Sequence, residues 1–194
     1  MDSSTYYNQH AAEYLSSTQN VDMSRHYEMF LPHIPLGGHI LDAGCGSGRD
    51  TLYFLEKGYL VEAFDLSQAM VNAAHALTGL PVRQLSFQQM DYQNAFDGIW
   101  ACASLLHVPL EELSSVFKNL AVAVKTNGFV YCSFKYGTEN YEQAGRYFTC
   151  FTRDSFLHFL IDIPWFTLYD MTQSPDLRPG REKERWLNIL LVKS

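Results

Sequence analysis

Between residues 38 and 58 a short apolar run, a glycine cluster and a helical stretch follow one another, and that order leaves few folds open to the chain. His39-Ile40-Leu41-Asp42 reads as a buried strand, and Gly44-Cys45-Gly46-Ser47-Gly48 opens a helix that Lys57 and Gly58 close. Glycines at such a turn let a ligand approach the backbone closely, and the first amides of the helix have no partner within it. The alternation continues downstream. Residues 60–64 are predicted as the next strand, and Ser67 caps a helix carrying Met70, Val71, Ala74 and Leu77 that Gly79 and Pro81 stop. Residues 82–87 and 96–103 read as the third and fourth strands. Pro109 then opens a helix with Glu111 and Glu112 in its first turn and Leu110, Leu113, Val116, Phe117 and Leu120 expected inward. Asn127-Gly128 is expected to end it before a fifth strand at 129–134. The pattern is α/β, a doubly wound parallel sheet with helices on both faces.

The two ends depart from that alternation. Tyr7, Ala11, Tyr14 and Leu15 recur at helical spacing, as do Tyr27, Phe30 and Leu31 before Pro32 and Pro35, so residues 1–36 are expected to form two leading helices. Residues 135–150 read as a polar connection, and a short helix spans 152–160 with Phe156, Phe159 and Leu160 on one side. Residues 165–171 and 185–192 read as strands. The loop between them, 173–184, is short for a crossover helix and is broken by Pro175, Pro179 and Gly180, so the two strands should pair antiparallel.

Composition narrows the class. The 194 residues fit one domain, 1–194, and 47% hydrophobic content supplies a core. The polar start, Met1 to His10, is not the basic-then-apolar pattern of a secretory signal, and no run reaches the roughly 18–20 apolar residues of a membrane span. Cys45, Cys102, Cys132 and Cys150 are widely spaced, without a metal-binding C-x-x-C, and fit reduced thiols in the cytoplasm. A net charge of −7 disfavours nucleic acid as a partner, since phosphate binding rests on a basic field.

The loop spacing separates two classes of ligand. A dinucleotide fingerprint is G-x-G-x-x-G with pyrophosphate on the helix N-terminus. Here Asp42 stands two residues before the first glycine of G-x-G-x-G, which suits a ligand with an ammonium group and repels a pyrophosphate. Asp65, at the end of the second strand, is placed to accept hydrogen bonds from ribose hydroxyls, or else caps the next helix beside Ser67. Met90 and Asp91 could hold an adenine, although Gln89-Met90-Asp91 also reads as an ordinary loop.

These segments resemble class I S-adenosylmethionine-dependent methyltransferases. Gly46-Ser47-Gly48-Arg49-Asp50, residues 99–109 and Ser133-Phe134-Lys135-Tyr136-Gly137 resemble small bacterial members described as tellurite-resistance-like. The resemblance covers nearly the whole chain. It implies a seven-stranded, mostly parallel sheet with an antiparallel last strand. It also implies S-adenosylmethionine as cofactor and S-adenosylhomocysteine as product, and the cysteine spacing gives no metal site. The cofactor set it implies is Asp42, Gly44 and Gly46 around the methionine moiety, Asp65 at the ribose, and Met90 and Asp91 at the adenine, with Cys45, Arg49, Leu66 and Met70 also among the cofactor-binding residues. Ala101 and Ala103 would line the far wall.

For the acceptor side, His107 lies just past the fourth strand, and it either positions or deprotonates the acceptor, or simply bonds backbone near a helix start. Tyr7 and Tyr14 either face a sulfonium or pack the helix. Lys135, Arg146 and Arg178 fall in segments expected on the ligand-binding edge. They suit an anionic small molecule, or pair with nearby acids such as Asp176, Glu182 and Glu184. Methyl transfer to a macromolecule is the competing activity, and the N/D-P-P-Y/F signature of amino-methylating DNA enzymes is absent after the fourth strand. A protein that holds the nucleoside without turnover is the competing class.

Overall fold

The structure, a computed structural model, describes residues 3–194; Met1 and Asp2, part of the expected domain and of its polar start, lie outside that range. Three helices open the described chain instead of two: α1 (Ser3–Gln9), α2 (Ala11–Thr18) and α3 (Ser24–Phe30). The predicted first helix is broken at His10, whose φ of −114° and ψ of 24° leave the helical region.

Strand β1 (His39–Ala43) passes through the glycine loop into α4 (Arg49–Glu56), followed by β2 (Leu60–Asp65), α5 (Gln68–Thr78), β3 (Arg83–Gln84) and β4 (Phe96–Ala101). Helix α6 (Leu110–Ala123) leads into β5 (Val124–Tyr136), then β6 (Tyr141–Gln143), β7 (Arg146–Phe148) and β8 (Cys150–Phe151). Helix α7 (Arg153–Phe159) precedes β9 (Phe166–Pro175) and β10 (Arg185–Lys193).

The sheet order is β3-β2-β1-β4-β5-β10-β9, with short β8 pairing β5 off that path. Its β3-β2-β1-β4-β5 half is parallel, while β10 runs antiparallel to both β5 and β9. The expected parallel sheet with a reversed last strand is therefore present. Alternate residues along each central strand face opposite layers, which is why these strands read as unbroken apolar runs. Ile40, Trp100, Tyr131 and Leu190 pack with Tyr27 and Phe30 of α3 and Phe54 of α4. Their neighbours Leu41, Ile99, Val130 and Leu191 pack on the other side with Val116 and Phe117 of α6 and Phe156 of α7.

Several boundaries differ from expectation for identifiable reasons. The third strand shrinks to two residues, because Ser86 and Gln89 close a capping box around a 3-10 turn at Phe87–Gln89. The fourth strand stops at Ala101, and Ala103 turns at φ 51°. Of the residues expected inward on α6, only Leu110, in its first turn, is exposed. Helix α6 ends at Ala123 without a glycine, because the Asn94 and Ala95 amides bond the Val122 and Ala123 carbonyls. Asn127, at φ 61°, and Gly128 instead sit inside β5 where its register with β4 shifts. The polar connection holds the β6–β7 hairpin. Its two-residue turn, Ala144 at φ 51° and Gly145 at φ 74°, has the left-handed geometry that matches strand twist.

Candidate functional site

The carboxyl ends of β1, β2, β4 and β5 open on a cavity of about 810 Å³. This edge is where a doubly wound sheet places ligands. Gly44, at φ 80°, lies so close to the turn after β4 that an added Cβ would stand 2.4 Å from Ser104 Cβ. Ser104 fixes the approach by donating its hydroxyl to the Ala43 carbonyl at 2.7 Å. At Gly46 an added Cβ would come within 3.6 Å of the Tyr14 ring, filling part of the space between loop and overlying helix. Cys45 and Arg49 complete the loop side of the wall, and Leu66 and Met70 line the cavity beyond β2.

Asp65 binds both neighbours of this loop. Its Oδ2 accepts from the Gly46 amide at 2.9 Å and its Oδ1 from the Ser67 amide at 2.8 Å. Burial pushes its carboxyl up, and the backbone N–H groups oppose that shift. Ser67 in turn caps α5, accepting from the Met70 amide at 3.3 Å. Asp65 thus lines the cavity and also shapes the turn into the helix.

Four expected cofactor residues are not on the cavity wall. Asp42 is almost fully buried behind the loop and accepts the Thr51 hydroxyl at 2.5 Å. Burial, reinforced by the Asp50 charge, pushes it well above the usual carboxylate range, so it is a poor ammonium partner in this geometry. Asp91 is exposed and pairs with Arg83 at 2.8 Å. Met90 packs on the core, and Ala101 is buried within the sheet while Ala103 does reach the wall.

Beneath the loop, Asp50 organises a buried polar network that sequence reasoning missed. It accepts from Arg49 Nε at 2.7 Å, Tyr27 Oη at 2.6 Å and Trp100 Nε1 at 2.9 Å. Burial acts to raise Asp50, but Arg49 outweighs it and holds the carboxyl below its ordinary value. Arg49 also donates to the Thr18 carbonyl at 3.0 Å, tying α4 to the end of α2.

Helix α1 forms the roof. Tyr7 donates its hydroxyl to His107 Nε2 at 2.9 Å, and His107 Nδ1 donates to the Tyr147 carbonyl at 2.7 Å. A carbonyl can only accept, so His107 carries its proton on Nδ1 and receives one from Tyr7. Burial pushes its pKa down to about 4. Tyr14 packs edge-on to Tyr7 with centroids 4.9 Å apart, and burial raises both phenols. Asn8 Oδ1 accepts from Ser67 Oγ at 2.7 Å, pinning the roof to the α5 cap.

The cationic residues on the wall divide sharply. Lys135 donates to Asp176 at 3.0 Å and to Glu184, Arg178 donates to Asp176, and Arg181 pairs with Glu184 at 3.5 Å. Asp176 and Glu184 had been two of several acids in reach on sequence, and they neutralise this cluster. Arg146 differs: among the described residues it has no carboxylate partner, and its guanidinium stacks over Tyr6 at 3.8 Å. Its buried Nε has no protein partner.

Comparison with known proteins fits this geometry. Residues 40–128 match a methyltransferase domain family. A segment of 64 residues is 39% identical to an S-adenosyl-L-methionine-dependent Diels-Alderase of Neonectria sp., covering 31% of this chain and 26% of that protein. Over 94 residues the chain is 33% identical to an O-methyltransferase of Aspergillus sclerotiorum, covering 44% and 35%. The chain thus spans well under two thirds of these relatives' length. Among solved structures, 1,6-didemethyltoxoflavin-N1-methyltransferase of Burkholderia thailandensis, with bound 1,6-didemethyltoxoflavin and S-adenosylhomocysteine, superposes with a TM-score of 0.80. It is 23% identical and the match covers 98% of this chain and 84% of that one. Over 98% of its length the chain has the Rossmann-like fold of the S-adenosylmethionine-dependent methyltransferases, and its residues 40–128 match a methyltransferase domain.

Proposed function

We propose that the protein transfers a methyl group from S-adenosylmethionine to a small acceptor carrying an anionic group, leaving S-adenosylhomocysteine. The observation that carries the reading is the roofed cavity itself. It has the glycine loop and Asp65 at one side and, at the other, His107 and Arg146, a cation without a carboxylate partner among the described residues. A volume of about 810 Å³ beneath a helix fits a nucleoside and a compact partner better than a polymer. The reading takes residues 1–194 as one catalytic domain with 1–36 as its cover, working in the cytoplasm; the four cysteines are free thiols. Among the described residues no helix is long and apolar enough to cross a membrane.

When bound, S-adenosylmethionine supplies a methyl on a sulfonium, an already activated leaving group. This chain's residues then mainly align and exclude water. In this reading Gly44, Cys45, Gly46 and Arg49 hold the methionine side, and Asp65, Leu66 and Met70 the ribose side. An imidazole held down to about 4 is a weak base at neutral pH, so His107 is assigned to hold Tyr7 in place rather than to remove a proton. Arg146 orients the acceptor's anionic group. The tellurite-resistance-like resemblance rests on sequence segments alone and adds nothing about the acceptor.

The test combines binding and turnover. Thermal unfolding with S-adenosylmethionine, S-adenosylhomocysteine and NAD in turn should show stabilisation by the first two only, near 2.7 kcal/mol at about 100 times the dissociation constant. Because one relative is named a Diels-Alderase, release of label from methyl-labelled cofactor into acceptor must accompany it. Binding without methyl loss would defeat the transferase reading and favour a protein that uses the nucleoside otherwise.

A further inference from the structure

With Met90 and Asp91 off the cavity wall, the adenine end of the nucleoside has no assigned partner, yet the wall carries a different pair of side chains there. The Leu85 amide bonds the Asp65 carbonyl at 3.0 Å, so the turn after β3 begins beside the carboxylate at the end of β2. Leu66, Leu85 and Phe87 line the cavity on this side, and Leu106 and Val108 line it from the turn after β4. Together they make an apolar slot suited to the flat faces of a base.

The polar side chains at the rim of that slot are not equally free. Ser86 and Gln89 bond each other's backbone and close the 3-10 turn. Gln88 and Glu112 are exposed residues that both line the cavity, and Gln88 Nε2 donates to Glu112 Oε2 at 2.8 Å, from that turn to the first turn of α6.

This contact fixes which way the Gln88 amide points. A carboxylate accepts and has no hydrogen to give, so the NH2 end of Gln88 must face Glu112. The bond takes one amide hydrogen, and among the described residues the second hydrogen and the carbonyl oxygen have no partner. A carboxamide that offers an acceptor and a donor in a fixed sense is the group that pairs with adenine, whose amino group donates next to a ring nitrogen that accepts.

We infer that Gln88 reads the adenine of the bound nucleoside, its Oε1 accepting from the amino group and its Nε2 donating to a ring nitrogen, and that Glu112 is the positioning residue that holds the amide in that sense. The inference rests on the reading of this cavity as an S-adenosylmethionine site and deepens it by naming what selects the base. A 6-oxo purine presents the reverse pattern, an accepting oxygen beside a donating ring N–H. It would meet Gln88 only with the amide turned over, and Glu112 opposes that turn because it would bring Oε1 against the carboxylate.

The experiment is calorimetric titration of the full chain with S-adenosylhomocysteine and with S-inosylhomocysteine, its 6-oxo counterpart. The wild type should bind the adenine compound about ten- to a hundredfold more tightly, the discrimination of one bidentate pair. The Glu112→Gln side chain can both accept and donate, so it holds either sense of the amide, and the preference should fall to about threefold or less. Gln88→Leu should weaken S-adenosylhomocysteine roughly tenfold and lose most of the preference. Both positions are exposed, so the two variants should melt with the wild type in the absence of ligand. A contact that only joined the turn to α6 would move the melting temperature, or both affinities together, and leave their ratio alone.

The inference is overturned if the wild type binds the two nucleosides alike, or if the wild-type ratio survives in either variant. Failure of the wild type to bind either nucleoside would defeat the cofactor reading with it, whereas equal binding of both defeats this inference alone.

Discussion

Tyr7 and His107, a hundred residues apart in the chain, meet in a 2.9 Å hydrogen bond that joins the roof helix to the turn after β4. No residue of α1 is fully buried, so this helix is held by polar contacts more than by apolar burial. Tyr7→Phe should therefore loosen the roof without unfolding the core. Removing a net contribution of about 1 kcal/mol should raise amide exchange in residues 3–9 roughly fivefold while β1 and β4 stay protected. Unchanged exchange in α1 would mean that the hydrogen bond does not hold the roof.

His107 predicts a pH dependence. Its folded pKa, near 4, lies below the ordinary histidine value of about 6.5, so the unfolded chain binds a proton first as pH falls. The stability this group contributes is fully present above pH 6.5 and is lost progressively between about 6.5 and 4. His107→Gln should flatten that part of the stability curve. Urea titrations at pH 7, 5.5 and 4.5 would reveal it, and an equal slope in wild type and variant would contradict the assignment.

The Lys135, Asp176 and Arg178 cluster is structural in this geometry. Asp176 is 4% exposed, and although burial acts to raise its carboxyl, hydrogen bonds from Arg178 and Lys135 hold it well below the usual range. Asp176→Ala takes from Arg178 its carboxylate partner and leaves Lys135 with Glu184 alone, a change that costs about 3 kcal/mol. Denaturant unfolding checks the magnitude. A loss under about 1 kcal/mol would place the cluster among exposed pairs of little worth.

Arg146 and Arg178 should separate under the same truncation. Arg146→Ala should raise KM for a carboxylate-bearing acceptor about ten- to a hundredfold with little change in melting temperature, since charged hydrogen bonds are worth about 1.5–3 kcal/mol. Arg178→Ala should lower stability first. If both variants turn over such an acceptor as the wild type does, the anionic acceptor is wrong.

Gly44→Ala tests the junction of β1 and β4. The residue sits at φ 80° and an added Cβ would lie 2.4 Å from Ser104 Cβ. Left-handed strain and overpacking together cost roughly 2–6 kcal/mol. A melting temperature within a degree or two of wild type would show that the turn has room to move.

What could be read from the sequence was what repeats or punctuates. The apolar runs at Ile40-Leu41 and Ile99-Trp100, the glycines at 44 and 46, and Pro175 to Gly180 all carry local signals, and the strand and helix alternation and the antiparallel final pair follow from them. The β6–β7 hairpin escaped because its turn begins with Ala144, where asparagine or glycine is the usual sign of a left-handed residue. The end of α6 escaped because amides of residues 94 and 95, distant in sequence, satisfy its carbonyls. At the site, Asp65 and the glycine loop were legible as a spacing. The isolation of Arg146 was not, since which of several cations finds a carboxylate depends on tertiary placement. The contact of His26 with Ser174 carries no sequence signal either, since the two residues are 148 positions apart and meet only in the folded chain.

Because β10 runs against its parallel neighbours, it begins at the cavity edge with Arg185 and finishes at the opposite edge with Lys193, while α1 lies over the cavity. The two ends of the described chain are therefore not equivalent places to attach anything. A fluorophore, affinity tag or immobilising surface joined ahead of Ser3 pulls directly on a helix that lines the cavity, and so should report on or perturb ligand exchange. The same attachment after Ser194 sits behind the sheet, where it should leave ligand traffic unaltered.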